Sequence, residues 1–251
     1  MAFTSPDSYD RFMGRYSKLL APQLADLARV EAGQRALDVG CGPGALTGEL
    51  VARLGPDSVS AVDPSEPFVA ATQGRYPGVD VQVAAADDLP FPNHSFDATL
   101  AQLVVHFMKD PVAGLGEMRR VTRPDGVVAA CVWDHGGGQG PLFRFWEAAR
   151  RLDEEVDDES HLPGVHQGHL GELFREAGLD QVEETSLTVE VEHPTFDDWW
   201  EPFTLGVGPA GWYFASLDPS RQVELREAIR ETLPATSLVV SAVAWAARGV
   251  A

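Results

Sequence analysis

Residues 35 to 54 constrain this chain more tightly than any other stretch. They begin Arg35-Ala36-Leu37-Asp38-Val39-Gly40-Cys41-Gly42-Pro43-Gly44 and run on to Leu54. Ala36, Leu37 and Val39 form a short apolar run suited to a buried strand, and Gly40, Gly42 and Gly44 follow as turn residues. Leu46, Leu50, Val51 and Leu54 then recur at helical spacing before the stop signal Gly55-Pro56. Strand, bare loop and helix in that order let a ligand lie against main chain. Glycine permits close approach, and the helix N-terminus offers unpaired N–H groups.

A nucleotide-like cofactor suits such a cradle, but Gly40-x-Gly42-x-x-Ala45 also satisfies the relaxed dinucleotide fingerprint. Two aspartates separate the readings. Asp38, two residues before the first glycine, would repel a pyrophosphate yet could hold an ammonium group. Asp63 ends the next apolar run, Val59 to Val62, 19 residues past Gly44, an offset that suits the ribose hydroxyls of an adenosine moiety.

With these residues the chain resembles the class I S-adenosylmethionine-dependent methyltransferases, within the small-molecule group often called type 11. The resemblance rests on Leu37 to Gly44, Ala61-Val62-Asp63-Pro64-Ser65, Asp88 to Pro92 with Ser95-Phe96-Asp97, and Arg120 to Gly126. It implies a Rossmann-like, doubly wound α/β fold: a mostly parallel seven-stranded sheet with an antiparallel last strand and a helical cap inserted before it. It also implies S-adenosylmethionine as cofactor, S-adenosylhomocysteine as product, and a small-molecule acceptor. One methyltransferase domain is expected over 1–251: covering helices in 1–34, a cofactor core in 35–135, and a C-terminal half in 136–251 with the cap at about 193–234.

The cofactor set that the resemblance implies is Asp38, Gly40, Cys41, Gly42 and Gly44, then Asp63 and Pro64. The helical stripe from Ser17 to Val30 and the preceding Tyr9 to Tyr16 are expected across the methionine end. There Arg15 would meet the carboxylate, and Tyr9 or Tyr16 would cover the sulfonium; a helix packed on the sheet with an exposed arginine is the plainer alternative. The family often holds adenine with an acidic residue after the third strand, here Val79 to Ala84. Ala85 occupies that acidic position, which leaves Asp87 with the Ala86 N–H, or two solvated loop carboxylates. Ala101, Gln102 and Leu103, at the end of the fourth strand, should border the sulfonium.

Methyl transfer is an in-line displacement on an activated carbon, so alignment and exclusion of water come first, and a general base is needed only when the acceptor sheds a proton. His135, after the fifth strand Val127 to Trp133 and before a mobile Gly136-Gly137-Gly138 loop, is the first candidate; His106 is the second. Either could instead be a packed or idle histidine. A helix is expected over Pro111 to Arg123 and another over Pro141 to Val156. The acidic run Asp153 to Glu159 reads as a solvated surface. His161, His166 and His169 lack the spacing of a two-histidine metal site, and no metal is expected. The aromatic segment from Phe196 to Phe214 makes Trp199, Trp200 and Trp212, with Trp133, candidate walls of an aromatic acceptor pocket, or else the core of a small cap.

A net charge of −19 argues against a nucleic-acid partner. Hydrophobic residues at 44% are enough for a core. Two isolated cysteines, no leader-like segment and no apolar run of membrane length point to a soluble, cytoplasmic protein. Two rival readings stay open: a nicotinamide oxidoreductase, which no tyrosine with a lysine four residues on supports, and a cofactor-binding protein that does not methylate.

Overall fold

The computed structural model describes residues 5–233 and 237–251. Expectations for residues 1–4 and for the cap's end at 234 lie outside them. The chain opens with helices α1 (Pro6–Phe12) and α2 (Gly14–Leu27), continues as β1 (Ala36–Val39), α3 (Ala45–Leu54), β2 (Val59–Asp63), α4 (Glu66–Arg75) and β3 (Asp80–Val83), then β4 (Phe96–Gln102), α5 (Pro111–Val121) and β5 (Thr122–Trp133). After α6 (Phe143–Leu152) and α7 (His169–Glu176) come β6 (Asp180–His193), α8 (Phe196–Trp200), α9 (Gly208–Ser216), α10 (Pro219–Arg230) and β7 (Leu238–Val250).

The seven strands are ordered β3-β2-β1-β4-β5-β7-β6. β1 pairs in parallel with β2 and β4, and β7 runs antiparallel to both β5 and β6. This is the expected mixed, doubly wound sheet with an antiparallel last strand. Strand order reverses between β1 and β4, so their carboxyl ends open a crevice there.

Side-chain alternation builds the layers. Ala36 of β1 joins Leu20, Leu24, Leu46 and Leu50 on one face, whereas Leu37 and Val39 join Leu115, Met118 and Phe174 on the other. A third core lies outside the sheet: Phe145 and Trp146 of α6 with Phe196, Trp199, Trp200, Phe203, Leu225 and Ile229. The Phe145 and Phe203 rings stack at 4.7 Å. The helical cap thus lies between β6 and β7 as expected, and α6, which precedes β6 in the chain, completes its core.

Several boundaries move for local reasons. α5 stops at Val121 rather than Arg123, because the residue before Pro124 is biased away from helix and Thr122 already pairs with Phe96. α6 stops at Leu152, and the acidic run follows outside it. The glycine loop after β5 is anchored rather than loose: Asp134, fully buried, accepts hydrogen bonds from Gly137 N (2.7 Å) and Gln139 Nε2 (2.9 Å). No described helix is long and apolar enough to cross a membrane.

Candidate active site

The bare loop is shaped by its backbone. Gly40 and Gly44 adopt φ of +71° and +94°, where a side chain is strained. A Cβ on Gly40 would also stand 2.4 Å from Val104 Cγ2. The N–H groups of Gly40 and Cys41 donate to Val62 O at 2.8 and 2.9 Å, which fastens the loop to the end of β2. α3 starts after Gly44 without a side-chain cap.

The two aspartates bracket this loop. Asp38 is 1% exposed; its Oδ2 accepts from Thr47 Oγ1 at 2.6 Å, and its Oδ1 is buried without a partner. Burial pushes the carboxyl up to about 7 against the Thr47 hydrogen bond. On the neighbouring strand Gln102 Oε1 is likewise a buried acceptor without a donor, while its Nε2 holds Ser17 O at 3.1 Å. Two unmatched acceptors at the switch point fit a donor-rich ammonium, the group that S-adenosylmethionine presents. Asp63, also buried, accepts from Gly42 N and Ser65 N, each at 2.8 Å, so it spans the loop and the turn after β2. Burial raises its pKa against these two bonds, and each oxygen keeps a lone pair for a further donor.

The other cofactor candidates separate. Tyr9, half-buried on α1, stands edge-on to Phe68 at 5.5 Å, and its hydroxyl is pushed up to about 12 by desolvation, with Asp63 and Asp38 adding to the rise. Arg15 is committed elsewhere: Nη1 and Nη2 bind Asp198 at 2.5 and 3.0 Å, with His193 Nδ1 3.2 Å from Nη1. The Asp198 hydrogen bond raises the guanidinium pKa above its ordinary value. Tyr16, buried, packs edge-on to Trp133, and its hydroxyl lies 3.0 Å from His193 Nε2, so its ring is part of the core beside α2. Ala101 is fully buried in the sheet core, which removes its side chain from the crevice. Cys41 is a buried thiol. Pro64 and Asp87 are exposed, and Ala86 is half-buried in the turn after β3. Leu103 adopts φ +62°, unusual for a branched residue, and lines a cavity at the end of β4.

That cavity, of about 40 Å³, lies between α1, the ends of β4 and β5, and the cap. Tyr9, Phe12, Met13, Leu103, Trp133, Leu142 and the start of α9 from Val207 to Ala210 form its walls, and His106, His135 and Glu159 its polar end. The two histidine candidates therefore meet, with ring centroids 6.0 Å apart. Burial holds both imidazoles below the ordinary histidine range, His135 at about 4. Nδ1 of His106 has no partner.

Glu159 is the residue that sequence reasoning missed. The acidic run was expected in solvent, yet Glu159 is 3% exposed, with Trp146 Nε1 donating to Oε2 at 3.0 Å and His135 Nε2 3.8 Å from Oε1. Burial pushes its carboxyl up to about 7. Asp158 turns in as well, paired with Arg150. A carboxylate between Asp158 and Ser160 carries no sequence mark of this, since only the fold of the 3-10 turn Glu159–His161 aims it inward.

Of the candidate pocket tryptophans, Trp133 lines the cavity and donates from Nε1 to Met13 Sδ at 3.1 Å. Trp199 and Trp200 are the core of the cap, because their rings pack on Phe203 and Phe196. Trp212 is half-buried on α9, outside the cavity lining. His161, His166 and His169 do not converge: His161 is exposed beside Asp157, His166 packs under Gly136, and His169 Nδ1 accepts from Gly164 N.

Residues 37–130 match the family model described as a methyltransferase domain. An uncharacterized methyltransferase of Mycobacterium sp. (strain JLS) is 31% identical over 203 residues, covering 76% of this chain and 79% of that protein. Nocamycin O-methyltransferase of Saccharothrix syringae is 29% identical over 217 residues, covering 74% and 76%. The chain spans only 46%, 39% and 50% of three further curated relatives it matches. Among solved structures, a Haemonchus contortus phosphoethanolamine N-methyltransferase 2, in complex with phosphomonomethylethanolamine and S-adenosylhomocysteine, superposes with a TM-score of 0.56 at 18% identity, covering 97% of this chain and 59% of that one. These relatives set aside the nicotinamide reading, and the bracketed glycine loop agrees with them. The chain belongs to the class I S-adenosylmethionine-dependent methyltransferases.

Proposed function

We propose that this chain transfers a methyl group from S-adenosylmethionine to a small aromatic or apolar metabolite, in the cytoplasm. The observation that carries this reading is the junction of the two sites: Tyr9 and Leu103 line the acceptor cavity, and the same Tyr9 feels the charges of Asp38 and Asp63 at the glycine loop.

When bound, the cofactor supplies a methyl carbon already activated on a sulfonium. Asp38 and Gln102 hold its amino group, the glycine loop admits its backbone-facing edge, and Asp63 holds the ribose. Asp87 with Ala86 N–H borders the adenine. Tyr9, Phe12 and Met13 exclude water, and Trp133 with Leu142 gives the acceptor an apolar face. His106, His135 and Glu159 orient the nucleophilic atom from the polar end. The acceptor is received in this cavity, between α1 and the start of α9.

Calorimetry with S-adenosylhomocysteine tests the donor half, and an acceptor screen read by mass spectrometry tests the rest. Hydroxylated aromatics come first, since relatives are named for O-methylation. No binding at millimolar ligand would end the reading, and binding without any methylated product would favour a non-methylating protein on the same scaffold.

A further inference from the structure

We propose that His106, His135 and Glu159 bind one divalent transition cation of the zinc type at the polar end of the cavity. Each offers a ligand atom, all within 4.8 Å of one another, and His135 Nε2 stands 3.8 Å from Glu159 Oε1. Ligand atoms on one tetrahedral zinc lie roughly 3.3 Å apart, given bonds of about 2.0–2.1 Å, so small side-chain rotations complete the set. Two imidazoles and a carboxylate leave a fourth position open, as in catalytic zinc sites.

Two independent features point to a missing ligand. His106 is 4% exposed and its Nδ1 has no hydrogen-bond partner among the described residues, a costly arrangement for a buried polar atom. The Glu159 side chain is 4% exposed, yet among the described residues no lysine or arginine pairs with it, and His135 lies beyond hydrogen-bond reach. A buried carboxylate normally has a cation beside it. Trp146 Nε1, on the other carboxylate oxygen, is the kind of outer contact that orients a ligating carboxylate.

The ligand types also select the ion. Imidazole pairs favour zinc, cobalt and nickel over magnesium or calcium, which prefer all-oxygen sets. The surface carboxylates of a chain with net charge −19 attract any cation, but they supply no imidazoles. Leu103 and Trp133 line the same cavity as the three ligands, so an acceptor bearing an oxygen donor is the class that would complete the site. That last step rests on the methyltransferase reading; the ion site itself does not.

The test uses the tag-free full chain, stripped with a chelator and titrated with Co²⁺ and Zn²⁺. One ion per chain is expected, with the intense visible absorption of a low-coordinate cobalt site. Glu159→Gln and His106→Gln should each weaken affinity by at least about tenfold, whereas His161→Gln, an exposed histidine, should not. Wild-type chain that takes up no stoichiometric cobalt overturns the site, and so does binding that both ligand variants leave unchanged. S-adenosylhomocysteine calorimetry on the same samples reads the donor site separately: retained binding without cobalt uptake overturns the ion alone, and cobalt uptake without it overturns the donor reading alone. Circular dichroism checks each fold; should a variant fail it, His135→Asn and the wild-type cobalt spectrum decide.

Discussion

Gly42 N–H donates to Asp63 Oδ2 over 2.8 Å, so the aspartate proposed to hold the ribose also fixes the glycine loop. Asp63→Ala should lower S-adenosylhomocysteine affinity sharply and cost the fold about 1–3 kcal/mol, because the N–H groups of Gly42 and Ser65 lose their acceptors. Calorimetry and urea melts measure the two effects. Unchanged affinity would remove Asp63 from the ribose.

Asp38 gives a pH signature. Its folded pKa is raised from 3.8 to about 7, so the folded chain holds a proton that the unfolded chain has lost between those values, and this site's contribution to stability falls as pH rises through that window. Asp38→Asn should therefore raise the Tm of the cofactor-free chain at pH 8, with the advantage gone near pH 4. Cofactor binding by the wild type should strengthen as pH rises through about 7, because the carboxylate form grips the ammonium. A Tm difference that does not vary with pH would contradict the assignment.

Arg15 pairs with Asp198 through both terminal nitrogens. Both side chains are about a third exposed, which screens the pair, so Arg15→Ala should cost roughly 1 kcal/mol or less and change S-adenosylhomocysteine affinity by less than about threefold. A hundredfold loss of affinity in calorimetry would return Arg15 to the donor carboxylate.

At Gly40 two penalties can be separated. Gly40→Ala places a methyl 2.4 Å from Val104 Cγ2 and in a left-handed conformation, a combined loss of about 3 kcal/mol. Val104→Ala in the same chain should recover the steric part and leave about 1–2 kcal/mol from the backbone. Denaturant melts of the double-mutant cycle decide; no recovery would show that Val104 is not the obstacle.

The glycine loop and its flanking aspartates were legible because their signals are local. Gly40, Gly42 and Gly44 adjoin their strand and helix, and Asp63 marks the end of the next strand, so spacing alone locates them. The acceptor half was not. Glu159 sits in a run of carboxylates whose charge says solvent, and its inward turn depends on Trp146 and His135 from other segments. Trp199 and Trp200 were indistinguishable from pocket walls until α6 supplied Phe145 as their partner. The Arg15 pair spans 183 residues, a separation that no local pattern encodes.

α1 is pinned at both flanks: Asp10 to Arg75 on α4 at 2.6 Å, and Arg11 to Glu201 of the cap at 2.7 Å. Seven residues thus join the glycine-loop side of the fold to the cap, with Tyr9 edge-on to Phe68 of α4 and Phe12 packed on Phe203 in the cap's core. Loss of either ion pair would free one flank of α1 and leave the other held, so the short helix keeps its place between the two halves of the fold by two independent anchors.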